Sequence, residues 1–192
     1  HLKELLTAHY NLQPDRITVL PIFVDTEKIR DMVPIFDLKA RYVQFEKIIL
    51  VVSRLAPEKR VDRALEVFAK IRENFPTAGL VIVGDGPELE HLKLQAISYK
   101  LEGSVIFSGW QNDVNPYYKG ADVLLVTSAY EGYGMQIIEA LASGCPVVST
   151  DVGIAREAGA IVTGGLEKLS EVLKETLRTG ARGVLNPSFI TS

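Results

Sequence analysis

The stretch Ile48-Ile49-Leu50-Val51-Val52, the loop Ser53-Arg54-Leu55-Ala56-Pro57-Glu58-Lys59 and the segment after it decide the fold. Consecutive apolar residues, most of them β-branched, read as a strand, and the lack of polar alternation implies that both its faces are covered, as in a parallel sheet. In the next segment Val61, Leu65, Phe68 and Ile71 recur at helical spacing while Lys70, Arg72 and Glu73 take the wet side, which predicts a helix over 61–74. Apolar runs of the same kind stand at 17–20, 79–83, 105–107, 123–126 and 147–149, with helical stretches at 87–100, 115–120, 134–143 and 166–179. Pro87 suits a helix start, where its fixed φ and missing N–H cost nothing. This order predicts an α/β fold, a doubly wound parallel sheet built from right-handed crossovers. Ligands bind such sheets beyond the carboxyl ends of the strands, so the chemistry is sought there.

The 192 residues fit one ordinary domain, and 47% hydrophobic against 23% charged residues suffices for a substantial core. A formal charge of −3, with no Lys/Arg run interleaved with aromatics, argues against a nucleic-acid partner. No apolar stretch approaches the roughly 20 residues that cross a bilayer. The opening His1-Leu2-Lys3-Glu4-Leu5-Leu6 places charges where a signal peptide is apolar, so no transmembrane segment and a cytoplasmic location are expected. Cys145 is the only cysteine, and Gly144-Cys145-Pro146-Val147-Val148 reads as a small buried residue entering a strand. Because it starts at His1 and not at Met, the chain is expected to be a fragment or a processed product.

One strand passes into a helix through Glu131-Gly132-Tyr133-Gly134-Met135-Gln136-Ile137-Ile138-Glu139. Gly132 and Gly134 let a ligand approach the backbone, and the free amides of a helix start favour a phosphate or diphosphate. Glu131 falls in the turn and Glu139 near the second helical turn, where its carboxylate would accept from the vicinal hydroxyls of a ribose. An acid beside a diphosphate is tolerated when it faces hydroxyls, so a sugar nucleotide suits the site better than a bare phosphate. Spacing alone favours a plainer reading, with Glu131 capping the helix and Glu139 a solvated charge. Arg54, as a planar fork, and Lys59, as a movable point charge, would neutralise a diphosphate, although an ordinary solvated loop carries such residues too. Val83-Gly84-Asp85-Gly86-Pro87 lacks the third glycine of a dinucleotide fingerprint and is weak by itself. There is no P-loop motif, no Asp-x-Asp pair and no Ser-His-Asp candidate, and His1, His9 and His91 are scattered, so no metal site is expected.

Taken in order, Ser53-Arg54-Leu55 with Glu58-Lys59, then Val83 to Pro87, then Glu131 to Glu139, then Gly144-Cys145-Pro146-Val147-Val148-Ser149-Thr150, resemble the C-terminal domain of group 1 (family 4) glycosyltransferases over about residues 19–157. The resemblance implies one Rossmann-like half of the GT-B architecture, in which two such domains face each other. It also implies retaining hexosyl transfer from a nucleotide diphosphate sugar, without a metal or other cofactor. By it Arg54 and Lys59 neutralise the donor diphosphate, Glu131 contacts the donor sugar as the first acid of the E-x7-E motif, and Glu139 binds ribose as the second. The amides of Gly132, Tyr133, Gly134 and Met135 would line sugar and diphosphate, Gly84 and Gly86 would join the binding loops, and the region from Phe107 to Gly109 would lie near the base. Arg54, Lys59 and Glu131 are then the expected catalytic residues, the cations stabilising the departing charge more in the transition state than in the bound donor. Retention could proceed by double displacement on Glu131 or by same-face attack guided by the leaving phosphate, and the resemblance favours the second.

The departures concern the hinge more than the charged ligands. Pro21-Ile22-Phe23-Val24-Asp25 stands where the family often reads Pro-Asn-Gly-Val-Asp, Arg60 replaces a glycine and Met135 a leucine. Residues 1–20 are expected to be a hinge or the remnant of a preceding domain, 21–182 the nucleotide-sugar-binding domain, and 183–192 a tail. An N-terminal acceptor domain, with any peripheral membrane attachment, is expected to be missing, which would leave the isolated chain weakly active or inactive. A non-catalytic interaction module of the same fold and a nucleotide-sugar epimerase-like domain are the alternatives.

Overall fold

A computed structural model describes residues 2–18, 22 and 24–187, with side chains from Leu6 onward. The helices are α1 (Leu2–Tyr10), α2 (Thr26–Asp31), α3 (Leu38–Arg41), α4 (Val61–Ile71), α5 (Leu89–Ser98), α6 (Asn115–Gly120), α7 (Met135–Ala142), α8 (Ala155–Ala158) and α9 (Leu166–Thr179). The strands are β1 (Lys47–Val52), β2 (Ala78–Val83), β3 (Val105–Gly109), β4 (Val123–Val126), β5 (Val147–Ser149) and β6 (Ile161–Val162).

Every pairing is parallel, and the sheet runs β3-β2-β1-β4-β5-β6. Strand order reverses between β1 and β4, which opens a crevice outside their carboxyl ends. Successive strand side chains point to opposite faces, and here both faces are apolar. Ile49, Val51, Leu80 and Ile82 pack with α4, α5 and α9. Ile48, Leu50, Val81 and Val83 pack with α3, α6, α7 and α8. The apolar stripe of α4 is wholly buried, Leu65, Phe68 and Ile71 having no exposed surface. Each such side chain is worth roughly 1.5–3 kcal/mol of transfer free energy.

The bounds of β4, β5, α6 and α9 fall where the apolar patterns put them. Helix α5 begins at Leu89 instead of Pro87, because the amide of Glu88 donates to the Leu55 carbonyl at 3.0 Å and the chain is still turning. Strand β3 continues to Gly109, whose carbonyl accepts the amide of Gly84 at 2.9 Å. The expected strand at 17–20 is absent at Ile17 and Thr18, where the Ile17 amide turns back onto the Pro14 carbonyl at 3.3 Å. Val19 and Leu20 lie outside the described residues, as do Pro21 and Phe23 of the altered hinge motif.

Helices α2 and α3 lack a sustained apolar period, and capping carboxylates start them. Asp25 accepts from the Lys28 amide at 2.9 Å, and Asp37 from the Lys39 and Ala40 amides at 2.8 and 3.2 Å. Past α9 the chain returns to the domain: the Gly183 amide donates to Gly144 at 3.0 Å, the Asn186 amide to Ala158 at 2.9 Å, and Leu185 is buried. Positions 188–192 of the expected tail lie outside the described residues. No helix among the described residues is long and apolar enough to cross a membrane.

Candidate functional site

The crevice at the strand ends has a volume of about 540 Å³. Val52, Ser53 and Arg54 line it from the end of β1, Gly84 and Asp85 from the end of β2, Trp110, Gln111 and Val114 from the segment after β3, Tyr118 from α6, and Met135, Gln136 and Glu139 from α7. The β1 and β2 loops are seated backbone against backbone, since the Leu55 amide donates to the Asp85 carbonyl at 2.8 Å. Gly84, at φ +134, makes this approach possible, because a Cβ there would fall 1.9 Å from the Ser53 carbonyl oxygen. A Cβ on Gly86 would fall 2.3 Å from that of Leu55.

The loop from β4 to α7 is tied to the β1 loop in the same manner. Ala129 donates its amide to the Glu58 carbonyl at 2.8 Å, and the Thr127 hydroxyl donates to the Arg60 carbonyl at 2.8 Å. Thr150 Oγ1, just after β5, donates to the Ser128 carbonyl at 2.7 Å. These ties bring Lys59 Nζ to 2.7 Å from Glu131 Oε2. Glu131 Oε1 accepts from Ser128 Oγ at 2.7 Å and from Gln136 Nε2 at 3.0 Å, so both oxygens of this buried carboxylate are occupied. The pair adjoins the crevice without lining it, and Gln136 links the two. Arg60 explains the glycine expected at its position: it takes a left-handed conformation at φ 50 before α4, and its guanidinium grips Asp62 at 3.0–3.3 Å.

Arg54 is exposed and rests on Glu58 at 2.7 Å, holding that carboxyl below the usual range chiefly through the hydrogen bond it donates. Solvent screens such a contact, which leaves Arg54 free to turn to an anion. Gly134 precedes α7 in a left-handed conformation at φ 101. The amides of Gly132, Tyr133, Gly134, Met135 and Gln136 meet no acceptor among the described residues, which is the arrangement that binds anions. Glu139, one turn further, accepts from Tyr118 Oη at 2.9 Å. Burial, and then the neighbouring Glu139 charge, push the Tyr118 phenol well above its ordinary range.

Of the expected site residues, Arg54, Gly84, Met135 and Glu139 meet in one crevice, and Lys59 and Glu131 pair beside it. Gly132, Tyr133 and Gly134 form the turn that leads to Met135, with the Tyr133 ring packed into the apolar layer beneath α7. Gly86, Phe107 and Gly109 lie outside the crevice lining, and Phe107 packs into the layer shared with α4 and α5. Trp110 and Gln111 occupy the place expected for the end of β3. Trp110 was legible as the single tryptophan directly after a strand, whereas Tyr118 and Gln136 carried no local signal. Among the described residues no group of three or more His, Cys, Asp or Glu side chains stands together as a metal site.

The model of the family described as glycosyl transferases group 1 matches residues 39–161, more than half of the chain, and the chain belongs to that family. It is 39% identical over 106 residues to an alpha-monoglucosyldiacylglycerol synthase of Streptococcus pneumoniae, covering 54% of this chain and 24% of that protein. It is 30% identical over 156 residues to the UDP-Gal:alpha-D-GlcNAc-diphosphoundecaprenol alpha-1,3-galactosyltransferase of Escherichia coli, covering 78% of this chain and 40% of that protein. The structure of Anabaena HepE in complex with UDP-glucose superposes with a TM-score of 0.79 at 23% identity, over 90% of this chain and 50% of that one, and so shares the fold. The chain thus spans less than half the length of these curated relatives.

Proposed function

We propose that this chain is the donor-binding half of a retaining glycosyltransferase that takes a hexosyl group from a UDP-sugar, the acceptor surface being carried by the rest of a longer protein. One observation carries the reading: Arg54, the first α7 residues Met135 and Gln136 with their free amides, and Glu139 converge on a single crevice at the point where the strand order reverses. The amides and Arg54 receive the diphosphate, Glu139 receives the ribose diol, and Trp110 and Gln111 face the base. The uridine base is suggested by the UDP-sugar in the name of the Escherichia coli relative.

When the bond from the anomeric carbon to the phosphate oxygen breaks, its electron pair leaves with UDP. Arg54 meets that charge directly, and Lys59, kept on Glu131, adds its positive charge from beside the crevice, so the reaction asks for no metal. Both oxygens of Glu131 are already held by Lys59, Ser128 and Gln136, which makes the carboxylate a support for the loop and a poor nucleophile. Retention then follows when an acceptor hydroxyl oxygen bonds to the anomeric carbon on the face the leaving group vacates and passes its proton to the departing phosphate oxygen.

Calorimetric titration of the chain with UDP-glucose and UDP-galactose tests the reading. Arg54→Ala and Glu139→Ala should each weaken binding about tenfold or more, the cost of a charge-assisted hydrogen bond, and EDTA should change nothing. If neither sugar nucleotide binds, the donor role is wrong. A glycosyl adduct trapped on Glu131 would instead overturn the same-face mechanism.

A further inference from the structure

We infer that Tyr118 is a positioning residue for the nucleotide donor: its buried hydroxyl holds Oε2 of Glu139 and aims Oε1 at the ribose diol. This rests on the reading of Glu139 as the ribose acceptor. Tyr118 is 1% exposed, its ring wedged into the apolar layer between the sheet and α7, and the hydroxyl is its one side-chain polar group. That hydroxyl stands 2.9 Å from Glu139 Oε2, and no other donor meets the Glu139 side chain among the described residues. Both residues line the crevice, so the contact joins α6 and α7 at its wall.

A glutamate has three rotatable bonds, and ordering it on binding costs free energy that preorganisation avoids. A carboxylate with one oxygen fixed from below keeps the other for two vicinal hydroxyls. The fixed partner must stay a donor, and burial does this by keeping the phenol protonated.

The test is binding of UDP and of its 2′-deoxy and 3′-deoxy analogues to the wild-type chain and to Tyr118→Phe, which keeps the ring. The wild type should prefer UDP about tenfold or more, as expected for a charged hydrogen bond. Tyr118→Phe should lose UDP affinity about threefold to tenfold and lose less for each deoxy analogue, which keeps one of the two hydroxyls, so the preference for UDP narrows. In a Glu139→Ala background the tyrosine substitution should have no further effect. A variant that keeps the full preference, or loses all three ligands equally, overturns the positioning role alone. A wild type with no preference for UDP overturns the ribose reading of Glu139, and the inference falls with it.

Discussion

Glu131 and Lys59 hold each other where neither is well solvated, with side-chain exposures of 7% and 19%. Removing one member of such a pair costs about 3–5 kcal/mol because the other is left uncompensated. Glu131→Ala should therefore lower unfolding stability by about that much in chemical denaturation, in addition to any effect on donor binding. A loss under about 1 kcal/mol would mean that Lys59 reaches solvent unaided and that the carboxylate has no supporting role. Cys145 is a second buried group, with its thiol pushed by burial from 9.0 up to about 12. It ionises more readily in the unfolded chain, so its contribution is fully present below 9.0 and is lost as the pH rises toward about 12. The denaturation midpoint should fall less steeply with alkaline pH in Cys145→Ala than in the wild type, and equal slopes would contradict the burial.

The loop joining β4 to α7 owes its shape to neighbours distant in sequence. Besides its ties to Glu58, Arg60 and Thr150, its Tyr133 carbonyl accepts the Ile154 amide at 2.9 Å. Gly153 passes beneath at φ +52, and a Cβ there would stand 2.2 Å from the Tyr133 carbonyl oxygen and 3.2 Å from Glu131 Cβ. Gly153→Ala should therefore cost about 2–4 kcal/mol in stability and displace the amides proposed to receive the diphosphate, weakening UDP-sugar binding in calorimetry. An alanine variant that binds and melts like the wild type would show the loop to be pliable. Nothing local to Gly153 announced this, because the constraint is a backbone contact with another loop. The same limit explains Phe107: both faces of a buried strand are apolar, so the pattern that located β3 carried no sign of which side chain turns away from the crevice. It explains Tyr118 too, since nothing in Asn115-Pro116-Tyr117-Tyr118-Lys119-Gly120 announces that the fold brings Glu139 to its hydroxyl. The charged motif residues were legible because loops at strand ends have one place to go once the sheet order is known. Helices α2 and α3 were missed because their cue is a capping aspartate, not a period.

At the scale of the molecule, the apolar layers close both faces of the sheet and the crevice is lined wholly by described residues of this chain, so the proposed donor binding should be intrinsic to it. A ligand that binds the folded state alone stabilises it by mass action, about 2.7 kcal/mol at a hundredfold excess over its Kd. UDP at that excess should raise the unfolding free energy by this amount. Trp110 provides an independent reading, being the only tryptophan of the chain and 67% exposed at the crevice. A base laid on its ring would withdraw the indole from water, so its fluorescence should change along the same binding curve as the stability gain. Trp110→Phe should abolish the optical signal while keeping most of the stabilisation, because the diphosphate and ribose contacts lie elsewhere. Stabilisation by UDP with no change at Trp110 would put the base away from the segment after β3 and leave the diphosphate and ribose assignments standing.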